Sequence, residues 1–128
     1  MTKKSLEKQF LMEQDYDYQA DSLLLYIKKD YNYKRSVRLD DDIILDFDEN
    51  DAPVALELLN ASRHLQVSKS SLIQPIGLDI NIGIGERIIK LEAHFSVSVH
   101  QNDIPRSLNS QIANKTNLFS NEVHFATA

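Results

Sequence analysis

Leu78-Asp79-Ile80-Asn81-Ile82-Gly83-Ile84-Gly85, continued after Glu86-Arg87-Ile88 by Ile89-Lys90-Leu91-Glu92-Ala93-His94-Phe95-Ser96-Val97-Ser98-Val99-His100, is the stretch that decides the fold class. Leu78, Ile80, Ile82 and Ile84 alternate with polar or glycine positions. Beyond a turn at Gly85-Glu86, Ile89, Leu91, Ala93, Phe95, Val97 and Val99 do the same. A strict period of two places alternate side chains on opposite faces of an extended chain. The pattern predicts a long β-hairpin over residues 77–100 with one apolar and one polar face. A two-stranded ribbon cannot hide its apolar face alone, so it must pack on the rest of the chain or on another copy.

The segments around this hairpin also read as strands. Downstream, Asn102-Asp103 marks a turn, Arg106 to Ile112 a weaker strand, Asn114 to Asn121 a loop and Val123-His124-Phe125 a closing strand. Upstream, Pro75 and the serines of Ser68-Lys69-Ser70-Ser71 mark a junction between two halves. The run Leu23-Leu24-Leu25-Tyr26-Ile27 is short and continuously apolar, which favours a strand buried on both faces. Val37 and Leu39, then Ile43 to Phe47, then Pro53 to Leu59 add three more strands joined by acidic turns, and Asn60 is placed to cap a short helix through Leu65. Leu6 and Phe10 at helical spacing predict a short helix or an ordered arm over residues 2–13. The expected fold is therefore α+β and mostly β, an antiparallel meander with one short helix and a long C-terminal β-hairpin. It is read as a single domain over 1–128, with the meander and helix at 15–65 and the hairpin extension at 77–128. The expected core is Leu23, Leu25, Ile27, Ile44, Leu56, Leu58, Ile80, Ile82, Leu91, Phe95 and Val97.

Composition narrows the function classes. The 128 residues suit one compact domain, and 42% apolar with 26% charged residues is an ordinary globular balance. The absence of cysteine excludes disulfides, thiolate metal sites and thiol catalysis. No apolar run approaches the roughly 18–20 residues of a membrane span. No signal-peptide core follows Lys3-Lys4, so a cytoplasmic protein with no membrane partner is expected. The net charge of −5 is unevenly spread, because residues 13–57 hold 13 of the 19 acidic and 5 of the 14 basic residues. Such a surface repels phosphate backbones, and nucleic acid is not an expected partner.

Asp15-Tyr16-Asp17, Ala20-Asp21 and Leu25-Tyr26-Ile27, followed by Ile43-Ile44-Leu45-Asp46-Phe47-Asp48-Glu49-Asn50-Asp51 and by Leu56-Glu57-Leu58-Leu59 with Ala61-Ser62, carry a family resemblance. Over about residues 15–62 the chain resembles the domain of unknown function 2283 family. Asp51 stands where that family usually has a turn glycine, and Ala55 where it often has a second. The resemblance implies a strand meander, and an antitoxin-like role as the partner of a small toxin.

The sharpest metal candidate is Asp46-x-Asp48-x-Asn50 with Glu57 eleven residues after Asp46, the ligand spacing of a calcium loop. Asp51 replaces the glycine of the sharp bend, Pro53 stiffens the loop and strands flank it. A hairpin turn with no metal and no cofactor is the expectation. Lys28 to Arg38 interleaves bases with tyrosines, as a single-strand nucleic-acid site would, but beside Asp40-Asp41-Asp42 it reads as a polar hairpin tip. His94 and His100 share a polar strand face too far apart for one ion. No nucleophile elbow is present, and Gly83-Ile84-Gly85 lacks the context of a phosphate loop. The expected function is a non-catalytic protein-interaction or self-assembling module, first a homodimer and second a complex with another protein. Asp41 and Asp42, or Ile80 and Ile82 on the ribbon, are its expected docking residues. The alternative is a metal-assisted or acid–base enzyme using clustered Asp residues.

Overall fold

The computed structural model describes residues 8–115, 118 and 121–127. Among them the elements run β1 (Lys8–Asp17), β2 (Ser22–Ile27), β3 (Tyr33–Asp40), β4 (Ile43–Asp48), β5 (Pro53–Leu59), α1 (Ala61–Leu65), α2 (Lys69–Ile73), β6 (Gly77–Ile84), β7 (Ile88–Val99), β8 (Asn102–Ala113) and β9 (Asn121–Ala126). The strands form a single sheet in the order β3-β4-β5-β2-β1-β9-β6-β7-β8. The sheet curls until its two edge strands approach, and the Ser110 hydroxyl on β8 donates to the Leu39 carbonyl on β3 at 3.5 Å. The fold is mostly β, with two short helices on the connection between its halves.

β1 joins those halves. Met12 to Asp17 pair antiparallel with β2, and Lys8 to Leu11 pair parallel with β9. The sheet is therefore mixed rather than purely antiparallel. The helix or arm expected over residues 2–13 is strand from Lys8 onward, and the earlier part lies outside the described residues. What fixes Phe10 is β9, where its ring meets that of Phe125 at 5.8 Å between centroids.

The alternation of residues 78–99 is realised in β6 and β7, which pair without a register break from Gly77↔Ser96 to Ile84↔Ile89. They are not an isolated ribbon: β8 pairs along the whole of β7, and β9 along β6. Their apolar face turns inward onto Leu23, Leu25, Leu45, Phe47, Leu56 and Leu58, all in one continuous core. Each such side chain contributes about 1.5–3 kcal/mol by leaving water. Most of the expected core is buried, but Ile44 is not. Ile43, Leu45 and Phe47 point inward, and Ile44 takes the outer face. Two adjacent isoleucines open this strand, so periodicity alone could not choose between them. Likewise β2 is fully buried on one face only, with Leu24 and Tyr26 half-buried on the other.

Local geometry agrees with residue type. Asp51 adopts φ 59°, the left-handed conformation for which the family's glycine is suited, and is held there by its N–H donating to the Asp48 carbonyl at 3.0 Å. The serine-rich junction contains α2, which stops where Gln74 turns extended before Pro75. No helix among the described residues is long and apolar enough to cross a membrane.

Candidate functional site

Cross-strand register lays out the outer face of the β3-β4-β5-β2-β1 half in rows. One row is Glu13, Tyr26, Ala55, Asp46 and Ser36; the next is Asp15, Leu24, Glu57, Ile44 and Arg38. Asp17, Ser22 and Leu59 continue it at one end. The centre is apolar and half-buried (Leu24, Tyr26, Ile44, Leu59), and acids on β1 border it.

Within this face Asp46 and Glu57 meet across β4 and β5. Asp46 is only 6% exposed and accepts a hydrogen bond from Ser36 Oγ at 2.5 Å. A hydrogen bond to Asp46, then burial, then repulsion by the Asp46 charge push the Glu57 carboxyl from 4.5 up to about 7, against the opposing pull of Arg38. Glu57 thus keeps its proton toward neutral pH. Tyr31, from the β2–β3 connection, is near enough to feel both carboxylates. Burial first, then Asp46 and Glu57, raise its phenol.

This proton has a stability consequence. Folded Glu57 keeps it where the unfolded chain has released it, so folding stability falls as pH rises from about 4.5 to about 7 and stays lower above that. Glu57→Gln is expected to raise stability by about 1–2 kcal/mol at alkaline pH, discounted for partial exposure, and by nothing near pH 4. Urea denaturation across that pH range checks it, and parallel pH profiles for the two proteins would contradict it.

The structure separates the residues of the calcium-like spacing. Asp46 pairs with Glu57, but Asp48 Oδ1 turns to its own loop and accepts from the N–H groups of Asn50 at 2.9 Å and Ala52 at 3.0 Å. Asn50 is exposed. Asp41 and Asp42 lie at the β3–β4 turn. Asp42 is committed to α1, at 2.8 Å from His64 Nε2 and 3.3 Å from Asn60 Nδ2, and the His64 bond first among these holds its carboxyl low. The Asp41 carbonyl accepts from Arg38 Nη1, so its backbone is tied while its side chain is exposed. Ile80 and Ile82, at 0% and 1% exposure, are core residues and present no docking surface. Most bases of the Lys28–Arg38 segment are engaged too. Lys34 and Arg35 pair with Asp51, and Lys29 sits over the Phe10 ring. Of the histidines, His124 pairs with Asp79 at 2.8 Å, the His94 ring nitrogen is 3.3 Å from Ser107 Oγ, and His100 occupies a left-handed turn position.

Sequence reasoning missed one cluster. Asp21, in the β1–β2 turn, accepts from Tyr16 Oη at 2.6 Å and from Ser62 through N–H at 3.0 Å and Oγ at 2.7 Å. Its carbonyl takes the Ala61 N–H at 2.9 Å. Asn60, expected as the cap of α1, makes no side-chain cap bond, and Asp21 performs that task across the fold.

Comparison with known proteins places this geometry. Residues 14–62 match the family described as "Protein of unknown function (DUF2283)". A Methanosarcina mazei protein, provisionally named hypoxanthine phosphoribosyltransferase, is 30% identical over 112 residues, which is 88% of this chain and 89% of that one. Residues 14–62 belong to the DUF2283 family. An uncharacterised protein of Methanocaldococcus jannaschii is 47% identical over 60 residues, and that match covers 47% of this chain and 50% of the relative. This DUF2283 chain thus spans half the length of its M. jannaschii relative. No solved structure matches it. The matched segment runs from β1 to the start of α1, and it contains both Asp46–Glu57 and the Tyr16–Asp21–Ser62 cluster.

Proposed function

We propose that this DUF2283 protein is an interaction module that docks a basic partner protein on the outer face of the β3-β4-β5-β2-β1 half. The observation that carries this reading is the contrast between its two outer faces. The outer face of β6, β7 and β8 presents Asp79, Asn81, Lys90, Glu92, Ser107 and Asn109, which are at home in water. The other outer face presents half-buried Leu24, Tyr26, Ile44 and Leu59 beside Glu13, Asp15 and Asp17. An apolar centre with a charged rim is the anatomy of a protein interface. Self-association there would bring two acidic faces together, so charge favours a partner of opposite sign over a homodimer. An antitoxin-like role, with a small basic toxin as the partner, is one form of this reading.

Acid–base catalysis by Glu57 beside Asp46 is the second reading, favoured by the proton that Glu57 keeps toward neutral pH. The name of the M. mazei relative adds phosphoribosyl transfer to the chemistries worth weighing. The pyrophosphate of such a donor would be repelled by this acidic face, and among the described residues no three His, Asp or Glu converge as a metal-binding group. That chemistry is not extended to this chain.

Affinity capture on the tagged full chain, with intact-mass measurement of the complex, tests the proposal. A basic partner protein is expected, lost in Ile44→Lys and in Asp15→Lys and kept in Asn109→Lys on the opposite face. Capture indifferent to the first two variants overturns the reading, and a monomer without a partner promotes the catalytic one.

A further inference from the structure

Gly83 is the last residue but one of β6 and is paired on both sides, with β7 and β9. Glycine weakens a strand, because it costs more chain entropy and packs nothing. Among the described glycines none has positive φ, so backbone conformation does not demand it. β6 runs in unbroken register with both β7 and β9, so no bulge demands it either. A Cβ built at this position meets no atom within 4 Å. Such a glycine marks either a tight bend of the sheet or the close approach of a ligand or another backbone, and the open space over Gly83 leaves room for the second.

The missing side chain leaves a recess of about 350 Å³ on the outer face, lined by Asn81, Gly83, Lys90, Glu92 and Glu122 among others. Glu122, Gly83 and Lys90 form one cross-strand row. A carboxylate and an ammonium therefore face each other across a floor with no side chain, their Cα atoms about 10 Å apart by strand spacing. Lys90 lies 3.7 Å from Glu92, and among the described residues Glu122 has no hydrogen-bond or ion-pair partner. Asn81 and Glu92 stand side by side in the next row.

We propose that this recess binds a small zwitterion of the amino-acid type. Its ammonium group meets Glu122 on the β9 wall, and its carboxylate meets Lys90 on the β7 wall. Opposite charges on opposite walls select a ligand carrying both signs, and the glycine floor lets it lie against the backbone. The site is on the face opposite the proposed docking surface and does not depend on it.

The test is a titration of isotope-labelled full-length protein with the standard free amino acids at millimolar concentration, followed by amide chemical shifts. At least one is expected to produce saturable shifts confined to the amides around Gly83, Lys90 and Glu122. Gly83→Val fills the floor with a good strand former, and should weaken binding about tenfold or more while the melting temperature stays level or rises. Glu122→Gln and Lys90→Met, both on the surface, should each weaken it by a similar factor, and they decide the matter if Gly83→Val does not fold. The proposal is overturned if no amino acid gives saturable shifts there, or if the shifts survive Glu122→Gln and Lys90→Met.

Discussion

Leu25→Ala is expected to lower the unfolding free energy by about 2–5 kcal/mol, the range for deleting a buried leucine and leaving a partly collapsed cavity. Leu25 is 0% exposed and sits at the middle of β2, paired with Gln14 on β1 and Leu56 on β5. It belongs to one continuous core that draws on both halves of the chain. Leu24→Ala, one residue away, is the control. That side chain lies on the outer face, and its removal should cost less than about 1 kcal/mol. Urea denaturation with an unchanged m-value measures both. A loss below about 0.5 kcal/mol for Leu25→Ala would mean that the inner and outer faces of β2 have been assigned the wrong way round.

The same pair of neighbours shows what was legible in the sequence. Where apolar and polar residues alternate, as from Leu78 to Val99, the inner face was readable from period alone. Where they do not, as at Leu23–Ile27 and Ile43-Ile44, the sequence marks a strand but not its faces, and tertiary pairing decides. The β1–β9 contact was not legible at all. It joins Phe10 to Phe125 across almost the whole chain, in a parallel pairing that no local pattern announces. That missing link also made the β6–β7 ribbon look uncovered, when its apolar face is the centre of the core. At the site, Asp46 and Glu57 stood out together for their calcium-like spacing, but what unites them is their diagonal placement on β4 and β5. In the sequence Gly83 reads only as part of a failed phosphate loop, because the open space over it exists only once β7 and β9 flank β6.

Asp21→Ala is expected to cost about 2–4 kcal/mol, from the loss of three hydrogen bonds to a nearly buried carboxylate and the stranding of their donors. Two effects are superposed. Asp21 has φ 55°, which alanine adopts less readily than aspartate or glycine, so Asp21→Gly isolates the hydrogen bonds from the backbone. Burial raises the Asp21 carboxyl, but the bonds from Tyr16 and Ser62 outweigh it and hold the group below its ordinary value of 3.8. The sign follows from that depression. The carboxylate's stabilisation is fully present above the ordinary value and is lost as pH falls through the folded one, so the wild-type protein should lose this part of its stability only in acid. Asp21→Asn keeps the left-handed conformation and one acceptor, and should lie between wild type and Asp21→Gly at neutral pH. Its difference from wild type should shrink as pH falls below about 4. Tyr16→Phe removes one bond and should cost about 1 kcal/mol. If all of these variants stay within about 0.5 kcal/mol of wild type, α1 is anchored by its buried Ala61 and Leu65 rather than by Asp21. If the losses appear, the Tyr16, Asp21 and Ser62 positions of the family motif serve to fasten α1 to the β1–β2 turn, and the search for activity should turn to the outer faces.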